Sequence, residues 1–279
     1  MPGFRTIVAA LMLLPALAWA NLNDELYSPY QELLSRYLVE QALPGGGLVS
    51  AYDYPAALND ADVAGILDRQ RQALAAFDPD RLTGQAESVA FWINAYNFFM
   101  LDQILSEQPK GELVTSVWDY GGRVNPFIDN VFERETFVVG GESYSLDGIE
   151  KGLLLGHAYR QRGWKDARVH FAVNCASVGC PPLRKQVYTA DNLEPLLAEN
   201  TRRALATARH LTVEDGQLYL SDLFKWYRQD FEQASGSLRG FVLDWADDRV
   251  AREVAETDDL DFQGYDWALN RPGNFPELR

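Results

Sequence analysis

The chain has 279 residues, of which 47% are hydrophobic and 12% aromatic, with a formal net charge of −15. That balance suits a globular protein and excludes a disordered one. A strongly acidic surface repels nucleic acid and anionic lipid, and two cysteines are too few for a disulfide framework.

The first twenty residues read as a cleavable signal peptide. Arg5 is the only charge before Asp24, Ile7 to Leu17 is almost wholly apolar, and Ala18-Trp19-Ala20 fits the small-x-small rule for cleavage after Ala20. The run is short for a span of about 20 apolar residues, and no later segment reads as transmembrane. Cleavage would leave 259 residues with 24 basic and 40 acidic side chains, a net charge of −16. The expectation is an exported, periplasmic or secreted protein without stable membrane insertion.

Helical spacing of Leu26, Tyr30, Leu33, Leu34, Tyr37 and Leu38 predicts a helix over 24–42. Pro44-Gly-Gly-Gly47 then breaks the chain, so residues 21–47 read as an N-terminal helical extension to one domain over 48–271, with a tail over 272–279. A second helix is expected over 60–77. A third, about 85–105, is apolar on most of its surface and should be central and buried. Gly140-Gly141 marks a hairpin between 137–139 and 143–145. Ser145 should cap a helix to about Tyr159. Residues 168–174 read as a strand, Thr189 as the cap of a helix to about 208, and Asp215-Gly216 as a second hairpin turn. Ser221 caps a helix carrying Phe224, Trp226, Tyr227 and Phe231, a stripe read as core, and one or two helices follow to about 256. The whole is α+β, mostly helical, with short antiparallel hairpins.

Two segments carry candidate chemistry. On the third helix Glu87, Asn94 and Asn97 form a polar stripe among apolar neighbours. Buried polar groups must be paired or face a cavity, since leaving one unpaired costs about 1–3 kcal/mol. The stripe therefore reads either as a cleft wall, with Asn94 an oxyanion or orienting donor and Glu87 an orienting carboxylate, or as a structural network pinning loops to the helix. The second segment is Arg168-Val-His-Phe-Ala-Val-Asn-Cys-Ala-Ser-Val-Gly-Cys-Pro-Pro182. Cys175 is a candidate nucleophile with His170 as its base. Strand parity places those two side chains on opposite faces unless the chain turns at Asn174-Cys175. In an oxidising compartment Cys175 and Cys180 are also a disulfide candidate, which would silence the nucleophile. No fourth ligand suggests itself for zinc, no phosphate loop is present, and no metal or cofactor is expected. His157 and His210 read as surface residues.

Ala90-Phe-Trp-Ile-Asn-Ala-Tyr-Asn97, Ser145-Leu-Asp-Gly-Ile-Glu150, His170-Phe-Ala-Val-Asn-Cys-Ala-Ser-Val-Gly-Cys-Pro-Pro-Leu183 and Leu223-Phe-Lys-Trp-Tyr-Arg-Gln-Asp-Phe231 resemble, in order, the motifs of the bacterial and plant family called domain of unknown function 547. Val49 to Tyr54 is similar to its opening segment and Tyr265-Asp-Trp-Ala-Leu-Asn270 to its closing one. The resemblance implies that Asn97, Glu150 and Lys151 belong to a binding site with the residues above. Many members carry His directly after the Ile-Glu of the second motif, where this chain has Lys151, which implies an altered site there. Bacterial members are often exported, and some plant members look like interaction proteins. The function expected is a thiol-dependent hydrolase or transferase acting on an unknown envelope substrate. The alternative is a non-catalytic binding or scaffold domain with a protein partner.

Overall fold

The computed structural model describes residues 22–122 and 130–279. The expected signal segment, 1–20, lies outside them. The architecture is organised by one helix, α5 (Gln85–Ser106), whose residues from Ser88 to Leu105 are almost all buried. A helix apolar all round is stable only when other elements cover every face. Before it come α1 (Leu22–Leu26), α2 (Ser28–Tyr37), the hairpin β1 (Leu38–Ala42) and β2 (Leu48–Tyr52), α3 (Tyr54–Asn59) and α4 (Asp62–Ala76).

The helix expected over 24–42 therefore stops early. Leu38 to Ala42 pairs antiparallel with Leu48 to Tyr52, and Pro44 to Gly47 is the turn between them. Helical periodicity in the sequence ran on past Tyr37, but an edge for pairing outweighed it. The segment expected as an extension is also built into the main core. Tyr27 and Tyr30 pack edge-on to Phe91 and Phe98 of α5, and the Tyr27 hydroxyl donates to the Phe91 carbonyl at 2.8 Å.

After α5 comes the hairpin β3 (Phe137–Val139) and β4 (Glu142–Tyr144), turned at Gly140 and Gly141 with φ of 60° and 84°. Glycine is needed at Gly140 for space as well as for φ, because a Cβ there would meet the Phe77 carbonyl at 2.7 Å. The Ser145 hydroxyl then accepts from Gly148 N, as a cap should, but the helix that follows is a π-helical stretch over Gly148–Leu154. The short α6 (His157–Gln161) comes after it, so His157 begins a helix rather than ending one.

Residues 168–174 form no strand. Ala167–Phe171 is a 3₁₀ turn capped by the Asp166 side chain, with Arg168 forked onto Asp166 and Glu194 and stacked over Trp245. No neighbouring strand pairs with the segment, and alternating apolar residues in so short a run satisfy a buried turn equally well.

The C-terminal part comprises α7 (Leu193–Leu205), β5 (Leu211–Glu214), β6 (Gln217–Ser221), α8 (Asp222–Trp226), α9 (Arg228–Ser235), α10 (Leu238–Trp245), α11 (Asp248–Ala255) and β7 (Asp259–Gln263). β5 and β6 are the expected hairpin, and β7 joins β6 in parallel. A second core cluster around Phe171, Phe224, Phe231 and Phe241 holds these elements together. His210 is buried against Phe171 rather than on the surface, and burial drives its pKa down to about 3.

The α5 stripe is resolved by its hydrogen bonds. Asn94 donates to the Tyr188 carbonyl at 2.7 Å and accepts from Tyr188 N at 2.9 Å. Asn97 donates to the Ala172 carbonyl at 2.9 Å and accepts from Asn174 N at 2.8 Å. Each amide mimics a backbone unit and fixes a loop to the helix.

Asn94→Ala would leave the Tyr188 N–H and C=O unpaired in the interior. A loss of about 2–6 kcal/mol is expected, from two groups at about 1–3 kcal/mol each, seen as a lower urea midpoint at unchanged slope. Asn59→Ala, whose amide makes an exposed bond to the Pro55 carbonyl, should change the midpoint little. Equal midpoints for the two variants would rule out the clamp.

Candidate functional site

The loop between the 3₁₀ turn and Leu183 is held by four asparagines. Besides Asn97, Asn200 on α7 donates to the carbonyls of Phe171 and Pro182, clamping both ends. Asn174 donates to the Pro181 carbonyl and accepts from Ala176 N. Asn270 Nδ2 donates to Asn174 Oδ1 at 3.1 Å, and Asn270 Oδ1 accepts from the Tyr54 hydroxyl at 2.7 Å. The closing segment runs antiparallel to the loop, with Asn270 N on the Ala176 carbonyl, Val178 N on that of Ala268 and Gly179 N on that of Asp266. Contact is close enough that a Cβ on Gly179 would meet the Tyr265 ring at 2.9 Å.

This framework shapes a cleft of about 550 Å³ whose lining includes Glu150, Lys151, His170, Cys175, Cys180, Trp226, Tyr227, Tyr265 and Trp267. That volume falls in the size class of small-molecule sites, about 300–1,000 Å³. Cys175 and Cys180 are joined in a disulfide. The Tyr265 hydroxyl lies 3.1 Å from Cys175 Sγ and 3.2 Å from Cys180 Sγ, and Cys175 N donates to Cys180 Sγ. Ala176, inside the bridged loop, has φ 59°, a left-handed conformation unfavourable for a residue with a Cβ. The chain thus turns at Asn174-Cys175. His170 and Cys175 reach the same cleft, and strand parity does not apply.

The π-helical stretch supplies the acidic side. A wider turn carries Glu150 into the cleft, with Leu155 N bonding five residues back to the Glu150 carbonyl. Such turns occur often at functional sites. Asp147 pairs with Lys151 Nζ at 2.8 Å on the same stretch.

His170 is fully buried. Its Nε2 bonds Asp230 Oδ2 at 2.9 Å, and its Nδ1 stands 3.6 Å from Glu150 Oε1. Tyr227 lies over the imidazole, ring centres 3.9 Å apart, and its hydroxyl helps to lower the Glu150 pKa. Lys165 pairs with the other oxygen of Asp230. Burial pushes the imidazole pKa down, but the Asp230 hydrogen bond and the Glu150 charge outweigh it and raise the value. Burial pushes the Asp230 carboxyl up, yet His170 and Lys165 hold it at about 2. Glu150 is likewise lowered, burial being outweighed by the facing imidazolium and the Tyr227 hydroxyl.

The candidate residues thus divide. Glu150, Lys151, His170, Cys175 and Cys180 meet at the cleft. Asn94 and Asn97 do not line it, since both their amide ends are committed to loop backbone. Glu87 sits at the start of α5, where its backbone carbonyl accepts from Asn23. His170 turns its nitrogens to Asp230 and Glu150 rather than to Cys175, and a bridged Cys175 carries no thiolate. Asp230, Lys165, Tyr227 and Tyr265 were not foreseen. Trp226 and Tyr227, read as core, face the cleft, and Trp226 is 47% exposed. An alternation of large aromatics with charged residues in Lys225-Trp-Tyr-Arg-Gln-Asp230 was the available signal. Among the described residues no cluster of three or more His, Cys, Asp or Glu is placed to hold a metal, and no helix is long and apolar enough to cross a membrane.

A family model described as "Protein of unknown function, DUF547" matches residues 79–204, which bears out the resemblance over that stretch. The match takes in α5, the π-helical stretch and the disulfide loop, while Tyr227, Asp230, Tyr265 and Trp267 lie beyond it. No curated protein and no solved structure matches the chain.

The raised His170 pKa fixes a pH signature. Its contribution to stability is fully present below the unfolded value of about 6.5 and is lost as pH rises through the folded value. Depressed Glu150 and Asp230 act oppositely, contributing above their unfolded values near 4 and losing that contribution as pH falls below them. The melting-temperature gap between the parent and Asp230→Asn should therefore be widest at about pH 5–6 and narrow toward pH 9. The His170 ring proton should titrate above 6.5 in the parent and lower in the variant, and an unchanged midpoint would contradict the pairing.

Proposed function

We propose that this chain is an exported enzyme of hydrolase or transferase type, acting on an envelope substrate, with Glu150 as its acid–base group. The observation that carries the reading is the buried chain Glu150–His170–Asp230 opening onto the cleft beside the disulfide. Glu150 is anionic at neutral pH and can take a proton from an attacking nucleophile. His170, held by Asp230 and Lys165, balances that charge and fixes its position. The signal-like N-terminus supports export, and cleavage after Ala20 would leave Asn21 as the first residue, a point N-terminal sequencing of the exported form decides.

Where the nucleophile is water, the disulfide is a structural clip. The thiol-dependent form needs an external dithiol to reduce Cys175–Cys180, after which Cys175 is free to act as a thiolate. The two forms separate experimentally. The oxidised mature chain should resist alkylation until reductant is added. Glu150→Gln should lower kcat/KM on whichever ester, peptide or glycoside probe is turned over by about 100-fold or more, the usual scale for an acid–base group, assayed below the variant's own melting temperature, which falls with the loss of the His170 counter-charge. Cys175→Ser should matter only if turnover requires reductant.

A binding or scaffold domain is the second reading. It is favoured by Asn94 and Asn97, motif residues whose visible work is structural. Cleft ligand binding without turnover of any probe, in either redox state, would select it.

A further inference from the structure

The aromatic wall of the cleft is larger than acid–base chemistry needs. Trp226 lies 4.9 Å from Tyr265 and 5.6 Å from Trp267, ring centre to ring centre, and is nearly parallel to the latter at 29°. Tyr265 and Trp267 are 4.7 Å apart, and Trp267 is 5.0 Å from Trp118. These four rings come from chain segments up to about 150 residues apart, and they face one cleft. Trp226 keeps almost half of its surface in solvent. In a protein whose other large aromatics are mostly buried, an open indole at a cleft rim offers a flat apolar face to a ligand.

Opposite in chemistry are Glu133, Asp147, Glu150, Lys151 and Asn130, which line the same cleft. Three carboxylates, one ammonium and one amide provide many acceptors and a few donors. Charge is nearly balanced once the raised His170 is counted. A cation entering the cleft would meet Lys151, and the Asp147 and Glu150 carboxylates are already engaged by Lys151 and His170, so an aromatic cage for ammonium groups is a poor description. An anion would meet three carboxylates. An uncharged ligand with one apolar face and a rim of hydroxyl groups meets neither penalty. A pyranose ring has that shape: its axial C–H face lies on indole, and its hydroxyls donate to carboxylates and accept from lysine and amide.

We propose that the cleft is a binding site for an uncharged pyranose sugar, with Trp226 and Trp267 as the stacking platform and Asp147 and Lys151 among the groups that bind its hydroxyls. The inference names the substrate class of the site proposed above. It rests on that reading for turnover, but not for binding. Glu150 then stands at the sugar's polar edge, where a carboxylate can serve transfer or hydrolysis at the ring's substituents.

The test is a titration of the oxidised mature protein with soluble chito- and cello-oligosaccharides, followed by tryptophan fluorescence and by saturation-transfer NMR. Tetramethylammonium and inorganic phosphate are the comparison ligands. Saturable binding of one sugar series is expected, with transfer strongest at the ring C–H protons. Trp226→Ala, a change at a largely exposed side chain, should weaken that binding about tenfold, corresponding to about 1.4 kcal/mol, without lowering the melting temperature. Trp245→Phe, at the Arg168 stack away from the cleft, should leave binding unchanged. Glu150→Gln should keep sugar binding, within a few fold, while losing any turnover. Binding of tetramethylammonium or phosphate in place of sugars overturns the proposal, as does sugar binding indifferent to Trp226→Ala, or no sugar binding at all. Sugar binding with no reaction overturns the enzyme reading alone, and turnover of a non-sugar probe without sugar binding overturns this inference alone.

Discussion

Asparagine inside an apolar helix is the constraint on which the site depends. The amides of Asn94 and Asn97 sit on a helix with no solvent face, so each must find both a donor and an acceptor nearby. Loop backbone, whose N–H and C=O are not taken up by a ladder of their own, supplies such a pair. The helix therefore selects two loops, around Tyr188 and around Ala172–Asn174, and holds them in register. The second hold places Asn174, whose own amide orders the bridged loop and receives Asn270 of the closing segment. Position passes from the core to the cleft through side-chain amides rather than through a sheet. In a protein whose described strands are only 3–5 residues long, this takes the place of an extended sheet in positioning the site.

That chain explains what was legible in the sequence. Elements with their own local signal were readable: the apolar run of α5, the glycine pair at 140–141, and the serine caps at 145 and 221. The disulfide loop was readable as a loop of small residues closed by two prolines. What failed was decided by partners distant in sequence. Residues 38–42 carry a helical pattern but pair with 48–52. Residues 168–174 carry a strand pattern but find no neighbouring strand. The π-helical stretch looks like an ordinary capped helix, since a one-residue widening leaves no mark in apolar periodicity.

The candidate site was half legible for the same reason. Glu150, His170, Cys175 and Cys180 could be singled out because they are polar or reactive in short motifs. Asp230 could not, because only its contact with His170, sixty residues earlier in the chain, gives it a role. Trp226 and Tyr227 were misread because an aromatic stripe at helical spacing usually means core. Here Phe224 and Phe231 obey that rule, while the two aromatics between them turn to the cleft. Burial, not residue type, separates the two pairs.

The buried charges beneath the cleft compensate one another. Glu150 and Asp230 would each be costly in an interior without a counter-charge. His170 lies between them, and Lys165 answers the remaining oxygen of Asp230, so the cluster of two carboxylates, one imidazolium and one ammonium is neutral. Lys151 is not part of it. Half-exposed and paired with Asp147, it lies at the cleft margin. The ion pair of Lys151 with Asp147 therefore belongs to the margin and leaves the inner cluster intact. The pH sensitivity of that cluster rests with His170, whose pKa its carboxylate partners raise.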